Sequence, residues 1–477
     1  MPSPYSPAAP DKQVIRLRIM DEHVELTRWT EYSFAGNFLT PSDGWSCTVA
    51  DGNLEAKQKN ALRLGARVRL YVDNAPLAEG FIDDVEVSTD RHVGTTYTIR
   101  GRDRLGAVVD AIADPRTTYA DGTTLATFLA GLFAPFGWTS DADFVIDASA
   151  NRDAKTGGVR GTPTSRGKKT AGRPLKDFKL HQLKPHDHEG LFRFAARVAE
   201  RFGLWIWCSA DGETLIVDKP NFEQAPLYQL RRRNDGSSGH DGGTNILSGT
   251  VKYSSADQPS IIIADGFSGG GEFDRGQVKS YCVNPYFGVD ENGFIADDVQ
   301  KIISEYPEAK PVLVVTQPFA RRAQRIPPRP AFLHDEESKT QDQLDFFVKR
   351  TMSELLRKSL VCNYTVEGHG QVNADGGFTP WDVDTVVDVQ DEVGMVSERM
   401  YVLGRTFTKS RQGGTFTHLE LVRLYSIASG NQEELKSQAP SKGLVTNESD
   451  GVRRSFTATD TISTYGTRNP TSFTRDR

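Results

Sequence analysis

The sequence has 477 residues, of which 37% are hydrophobic and 25% charged, with a formal net charge of −6. This length exceeds one ordinary hydrophobic core, so two to four domains are expected, and the negative charge argues against sequence-specific nucleic-acid binding. The 43 glycines and 24 prolines favour a turn-rich, mainly β architecture, and no apolar run reaches the ~20 residues of a membrane-spanning helix. Residues 1–13 predict an extended proline-rich arm, not a signal peptide.

The first predicted elements are the strands of residues 14–110. Residues 14–19 alternate between apolar and polar side chains, which is the period of a half-buried strand. Residues 29–49 predict two more short strands, or a strand and a bend. Residues 64–100 predict three, followed by the sequence Gly-Arg-Asp at 101–103 and a short apolar helix. These elements predict a compact β domain of five or six strands.

Residues 111–230 predict a separate, smaller α+β domain. An apolar helical pattern covers residues 123–138, and a stronger amphipathic helix is predicted over 188–202. Two strands, at 204–208 and 214–217, follow this second helix and are joined by an Asp-Gly turn.

Two basic segments stand out from this composition. Residues 151–185 contain ten Lys or Arg against two Asp and predict a loop, and a second basic stretch precedes the proline segment at 327–330. Each is interpreted either as a solvated surface or as a contact surface for an acidic partner. The candidate partner-contact residues are Arg166, Lys168, Lys169, Arg321, Arg322 and Arg325.

Residues 231–428 predict a second β domain, and residues 429–477 a polar C-terminal tail. Strand signals at 249–253 and 260–264 come first, whereas residues 266–310 give no clear prediction. A strong helix with one apolar stripe is then predicted over residues 343–360. The strands predicted after it are 361–368, 383–389, 400–410 and 415–424.

One of these strands carries an acidic face. Asp382, Asp384 and Asp388 alternate with valines, so their carboxylates are predicted to share the outward face. A sugar-nucleotide site of the Asp-x-Asp type is the alternative interpretation. The favoured hypothesis is that this face lines a channel, where negative walls repel DNA phosphates.

The remaining polar residues do not indicate a catalytic site. His181, His186, His188 and Glu189 lie close together, but Asp187 and Glu189 are interpreted as the N-cap and first-turn acid of the following helix. The four cysteines show no Cys-x-x-Cys spacing and predict separate buried thiols. No enzymatic activity, metal or cofactor is therefore predicted.

The order of these elements resembles a known family. In residues 64–110 a strand, a turn, "GFI", a strand, "GRD" and "VVD" follow one another. Near the end, Trp381 precedes a "VVDV" strand, "YVLGRTFTKS", a Gly-Gly turn and "THLELV". This order is similar to that of the baseplate hub proteins of Mu-like contractile phage tails, the late-control D or gpP family. The resemblance covers residues 14–110 and 185–425 and rests on structural residues.

The resemblance implies an α+β, mainly β fold in which two barrel-like β domains flank an inserted small α+β domain. It implies a ring-shaped homotrimer that joins the hexameric tail tube to the trimeric central spike and continues the tube channel. Implied partners are the tube, the spike, and baseplate wedge or tape-measure proteins. The implied location is the virion, after assembly in the bacterial cytoplasm. A cell-wall-degrading tail enzyme and the hub part of a type VI-like spike protein are the alternatives.

Overall fold

The computed structural model describes residues 13–427 together with two strand segments nearer the C-terminus, 454–459 and 462–467. Gaps within the first range are 93, 121, 140–143, 147–182, 201–202, 223, 235–243, 268–276, 291–293, 315–326, 336–337, 339–340, 373–377 and 411–413. In the described residues, no helix has both the length and the apolar character needed to cross a bilayer.

The structure is mainly β. The strands of the first half are β1 (Ile15–Ile19), β2 (Val24–Leu26), β3 (Glu31–Asn37), β4 (Gly44–Ala50), β5 (Arg67–Val72), β6 (Ala75–Asp90), β7 (Gly94–Asp103), β8 (Phe144–Ile146), β9 (Trp205–Cys208), β10 (Leu215–Asp218), β11 (Tyr228–Arg232) and β12 (Ile246–Tyr253). Those of the second half are β13 (Ile261–Phe267), β14 (Gln277–Val283), β15 (Lys310–Pro311), β16 (Pro330–Asp335), β17 (Leu360–Glu367), β18 (Gly370–Val372), β19 (Phe378–Pro380), β20 (Thr385–Asp391), β21 (Val396–Ser410), β22 (Gly414–Arg423), β23 (Arg454–Thr459) and β24 (Ile462–Thr467). The helices are α1 (Ala56–Ala61), α2 (Leu105–Asp110), α3 (Leu125–Phe133), α4 (Leu191–Glu200), α5 (Asp297–Ser304) and α6 (Gln341–Arg357).

The chain forms two compact units. The first comprises Met1–Thr250 and Cys362–Leu421, and the second comprises Val251–Val361 and Val422–Arg477. The segment 231–428 contributes to both units, and the first unit combines residues up to 250 with residues 362–421.

A 13-stranded sheet forms the frame of the first unit. Its path runs β12-β17-β22-β21-β3-β4-β7-β6-β5-β1-β2, while β20 pairs with β21 and β11 pairs with β20. The N-terminal and C-terminal strands meet where β3 pairs antiparallel with β21, with Phe34 opposite Phe407. Seven strands, instead of the predicted five or six, precede α2. The predicted strand at 14–19, the pair within 29–49 and the helix after Gly-Arg-Asp are confirmed.

The segment between these strand groups has its own core within the first unit. Helices α2, α3 and α4 bury Leu105, Phe128 and Phe194 together with apolar side chains of β9 and β10. Thr124 caps α3 by accepting the N–H of Thr127 over 3.2 Å, as expected for a hydroxyl at this position. The predicted helix at 188–202 is confirmed, but α4 begins at residue 191.

In the second unit, a four-stranded sheet in the order β15-β14-β13-β16 lies between two helices. Ile261 and Ile263 pack with the side chains of α5, whereas Ile262 and Ala264 pack with those of α6. The apolar run of β13 is therefore a strand buried on both faces. The predicted helix at 343–360 is confirmed by α6, whose stripe buries Leu344 and its neighbours.

Candidate functional site

Arg405 on β21 is a buried charge in the middle of the first unit. Its Nε donates to the carbonyl oxygen of Trp381 over 2.8 Å. Its two terminal nitrogens lie 3.6 Å from Oδ2 of Asp43 and 3.2 Å from Oδ1 of Asp382. The side chains of the arginine and both aspartates are almost inaccessible to solvent. A buried guanidinium thus ties the loop before β4 to the segment before β20 and offsets the charge of two buried carboxylates.

The space around this guanidinium is closed by two rings and a glycine. The guanidinium lies 5.0 Å from the ring centre of Phe34 and 5.3 Å from that of Phe407. A Cβ at Gly36 would lie 2.3 Å from Nη1 of Arg405. Sequence reasoning assigned no role to Arg405, although its spacing of two from Phe407 is that of an inward-facing position.

Asp103, the last residue of the Gly-Arg-Asp sequence, anchors three backbone segments. Its Oδ1 accepts the hydroxyl of Ser42 at 2.6 Å and the N–H of Leu105 at 3.0 Å, and its Oδ2 accepts the N–H of Asp43 at 3.1 Å. The end of β7, the loop before β4 and the start of α2 are therefore joined by one carboxylate, since an ionised aspartate can accept several hydrogen bonds.

The other two residues of this sequence have equally specific surroundings. A Cβ at Gly101 would lie 2.1 Å from the carbonyl oxygen of Phe81 and 2.4 Å from a ring carbon of Trp45. Arg102 binds both carboxylate oxygens of Asp110, at 2.9 and 2.6 Å. These hydrogen bonds hold the pKa of Asp110 below its usual range. The Gly-Arg-Asp sequence is thus a structural joint.

A second buried charge fixes the turn between β9 and β10. The Glu79 carboxylate is fully buried and accepts Nε of Arg67 at 2.7 Å and Nε of Arg69 at 2.8 Å. Arg69 also donates to the carbonyl oxygen of Asp211 over 3.1 Å. A Cβ at Gly212 would lie 2.7 Å from Cβ of Glu79, so the turn approaches β6 closely only because this residue is glycine.

His369 forms a third buried polar contact. Its Nε2 lies 2.6 Å from the Tyr32 hydroxyl, its Nδ1 lies 3.3 Å from the Thr417 hydroxyl, and its ring stacks on Phe407 at 4.7 Å. The Tyr32 hydroxyl also donates to the carbonyl oxygen of Gln13 over 3.3 Å. Burial lowers the pKa of His369 to about 3, so the imidazole is neutral at physiological pH.

Asp391 fixes the turn between β20 and β21. Its two oxygens accept Nε and Nη2 of Arg232 at 2.7 and 2.6 Å, and Oδ2 also accepts the Tyr364 hydroxyl at 2.9 Å. The N–H of Gly394 donates to Oδ1 at 2.9 Å. Burial raises the pKa of Asp391, but these hydrogen bonds outweigh it and keep the carboxyl ionised with a lowered pKa.

The predicted outward position is corrected for two of the three aspartates on the acidic face. Asp382 and Asp384 precede β20 and are 4% and 1% exposed. Asp384 has a left-handed backbone (φ 56°) and accepts the N–H of Asn221 and the hydroxyl of Tyr401, each at 2.9 Å. The segment around Asn221 covers this face, which strand alternation by itself does not reveal. Only Asp388 is partly exposed.

The predicted roles of the two acids before α4 are also corrected. Asp187 does not cap the helix, which begins four residues after it. Glu189 accepts the N–H of His186 at 2.9 Å and binds Arg197 through Nε and Nη2, each at 2.8 Å. Burial raises the pKa of Glu189, but these bonds outweigh it and leave the pKa below its usual range. His181 lies outside the described residues. Within the described part of the chain, no group of three or more His, Cys, Asp or Glu side chains could hold a metal ion.

The cysteines match their prediction. All four are buried: Cys47, Cys208, Cys282 and Cys362. Burial raises the pKa of the Cys47 and Cys282 thiols, which keeps them protonated. They are therefore packing residues.

The predicted partner-contact residues cannot be placed in this frame. All six basic side chains lie outside the described residues: Arg166, Lys168, Lys169, Arg321, Arg322 and Arg325. Their role as a contact surface stays a prediction.

Comparisons with known proteins identify the fold. A tail protein from Neisseria meningitidis MC58 superposes with a TM-score of 0.60 at 18% identity, covering 87% of this chain and 98% of that chain. The 43 kDa tail protein of prophage MuSo2 from Shewanella oneidensis gives 0.58 at 16% identity, covering 88% and 100%. No protein-family model and no curated protein sequence matches this chain. The fold is therefore shared with these two tail proteins over nearly their whole length.

Proposed function

We propose that this chain is a structural hub subunit in the baseplate of a contractile phage tail or a related injection machine. The observation that supports this most is the shared fold, which covers nearly all of two phage tail proteins and most of this chain. In this proposal the chain belongs to the late-control D type of hub. Three copies form a ring that continues the bore of the tail tube on one side and holds a trimeric spike on the other.

The buried charges fit a structural role. Arg405, Glu79 and Asp391 each form ion pairs that join strands or turns within the first unit. Such contacts make a rigid frame, because removing either member of a buried pair leaves an uncompensated charge. A ring that adapts a hexameric tube to a trimeric spike needs large, shape-specific surfaces on a rigid frame rather than reactive side chains. The proposal is accordingly non-enzymatic.

In this proposal, Asp388 is the one residue of the three predicted aspartates that lines the channel. Asp388 is partly exposed on β20, and the strand register places it opposite Arg399 of β21. Asp382 and Asp384 are omitted because they are buried inside the subunit. A wall with balanced charge would let DNA pass without binding its phosphates tightly.

The test is the mass of the purified chain and its association with tail components. Light scattering over a concentration series should give about three times the 52.7 kDa of one chain. The tube and spike proteins encoded with it should each co-elute with the trimer. A monomer at every concentration that binds neither protein would overturn the proposal.

A further inference from the structure

Two edges of the large sheet are covered within the subunit. At β2, the Gln58 amide from α1 donates to the carbonyl oxygen of Glu25 over 2.9 Å. At β11, the amides of Asn245 and Gln371 each donate to the carbonyl oxygen of Gln229 over 2.7 Å. Side chains therefore occupy backbone groups that another strand would otherwise use, which is a common way of protecting sheet edges.

Two other edges remain open among the strands that the structure describes. The sheet path ends at β12, which pairs only with β17, and residues 247–250 are exposed although they alternate between its two faces. The second open edge is the outer half of β6. Its last bonds to the neighbouring segment are at Ile82, which accepts the N–H of Gly65 at 2.8 Å and donates to the carbonyl oxygen of Ala66 at 3.1 Å. Beyond it, residues 83–90 pair only with β7.

The two open edges complement each other chemically. Leu247 on β12 and Val87 on β6 are both large apolar side chains with 54% exposure. The open half of β6 carries four acidic side chains, whereas the only charged residue of β12 is Lys252. An exposed strand edge with apolar side chains is a ready template for another strand. The four acids are Asp83, Asp84, Glu86 and Asp90.

We propose that β12 of one copy pairs with the open half of β6 of a neighbouring copy, so that the sheet continues from subunit to subunit. The two surfaces are different, so the contact is head-to-tail and can close into a ring. The inference rests on the proposed trimer and adds its interface. Arg100 and Arg102 of β7 pair with Asp83, Asp84 and Glu86 and offset part of this negative charge. The remaining negative charge disfavours pairing of β6 with itself, and Lys252 supplies an attraction to β12.

Charge insertion at the two edges tests the interface. Leu247→Asp and Val87→Asp should each weaken association by roughly tenfold or more, seen as trimer loss on dilution in light scattering. Phe332→Asp is the matched control, because Phe332 is 58% exposed on β16, outside the proposed contact. It should leave the trimer intact. Circular dichroism of each variant checks that the fold is retained.

Cysteine cross-linking gives an independent result. Because the native cysteines are all buried, a chain carrying both Leu247→Cys and Val87→Cys should oxidise to a covalent trimer. Mixing the two single variants should give a covalent dimer, and each single variant alone should give none. If the wild type is a trimer, but the double cysteine variant does not cross-link and both aspartate variants stay trimeric, this interface is overturned and the hub proposal stands. Dimers from Leu247→Cys alone would show that β12 pairs with itself, which also overturns it. A monomeric wild type would instead overturn the hub proposal.

Discussion

Replacing Arg405 with methionine should strongly destabilise the first unit. The change removes a 2.8 Å hydrogen bond to the Trp381 carbonyl and leaves Asp43 and Asp382 buried without their cation. Methionine retains most of the apolar volume between Phe34 and Phe407, so the electrostatic loss dominates. Breaking a buried pair in this way costs about 3–5 kcal/mol.

Tryptophan fluorescence during urea unfolding is the appropriate assay. All six tryptophans belong to the first unit, so this signal reports on that unit alone. Arg116→Met is the matched control, because Arg116 forms its ion pair with Asp114 on the surface, outside the proposed interface. We expect no measurable change in its unfolding midpoint, as for most exposed ion pairs.

A triple variant tests whether the lost stability is electrostatic. Adding Asp43→Asn and Asp382→Asn to Arg405→Met replaces the two uncompensated carboxylates with neutral amides, so part of the lost stability should return. The reasoning is refuted if Arg405→Met unfolds at the same urea concentration as Arg116→Met. It is also refuted if the triple variant is no more stable than Arg405→Met alone.

Two further predictions concern a buried histidine and a buried glycine. Because the folded state lowers the pKa of His369 to about 3, its contribution to stability is complete above about pH 6.5 and falls as the pH decreases, since only the unfolded chain takes up the proton. Thermal unfolding should therefore show that lowering the pH from 7 to 5 reduces the free energy of unfolding by about 2 kcal/mol less in His369→Gln than in wild type. Equal reductions in the two proteins would contradict the burial argument. Gly101→Ala should destabilise by about 1–3 kcal/mol or more through overpacking, whereas Gly44→Ala, with no atom within 4 Å of the added Cβ, should be neutral in the same measurement; similar midpoints would disprove the steric argument.

The elements that could be predicted from sequence are those with a strong local period. The alternation in β1 and the apolar stripe of α6 depend only on neighbouring residues, and the structure confirms both. The segment 266–310 gave no prediction, yet it contributes β14 and α5 to the second unit. Its glycines and aspartates obscure the local pattern, and β14 pairs along its whole length with β13.

The roles of the buried polar residues could not be predicted because their partners are distant in sequence. Asp384 accepts the N–H of Asn221, 163 positions away, and Tyr32 contacts His369, 337 positions away. Alternation along a strand assigns side chains to two faces, but the identity of the covering segment decides which face is buried. This explains why an acid on an apparently outward face became a core residue. Asp388 is partly exposed, and its neighbour Gln390 on the same face is exposed. The covered part of this face therefore ends between Asp384 and Asp388. Only beyond that point can this face of β20 present charge to solvent or to a channel.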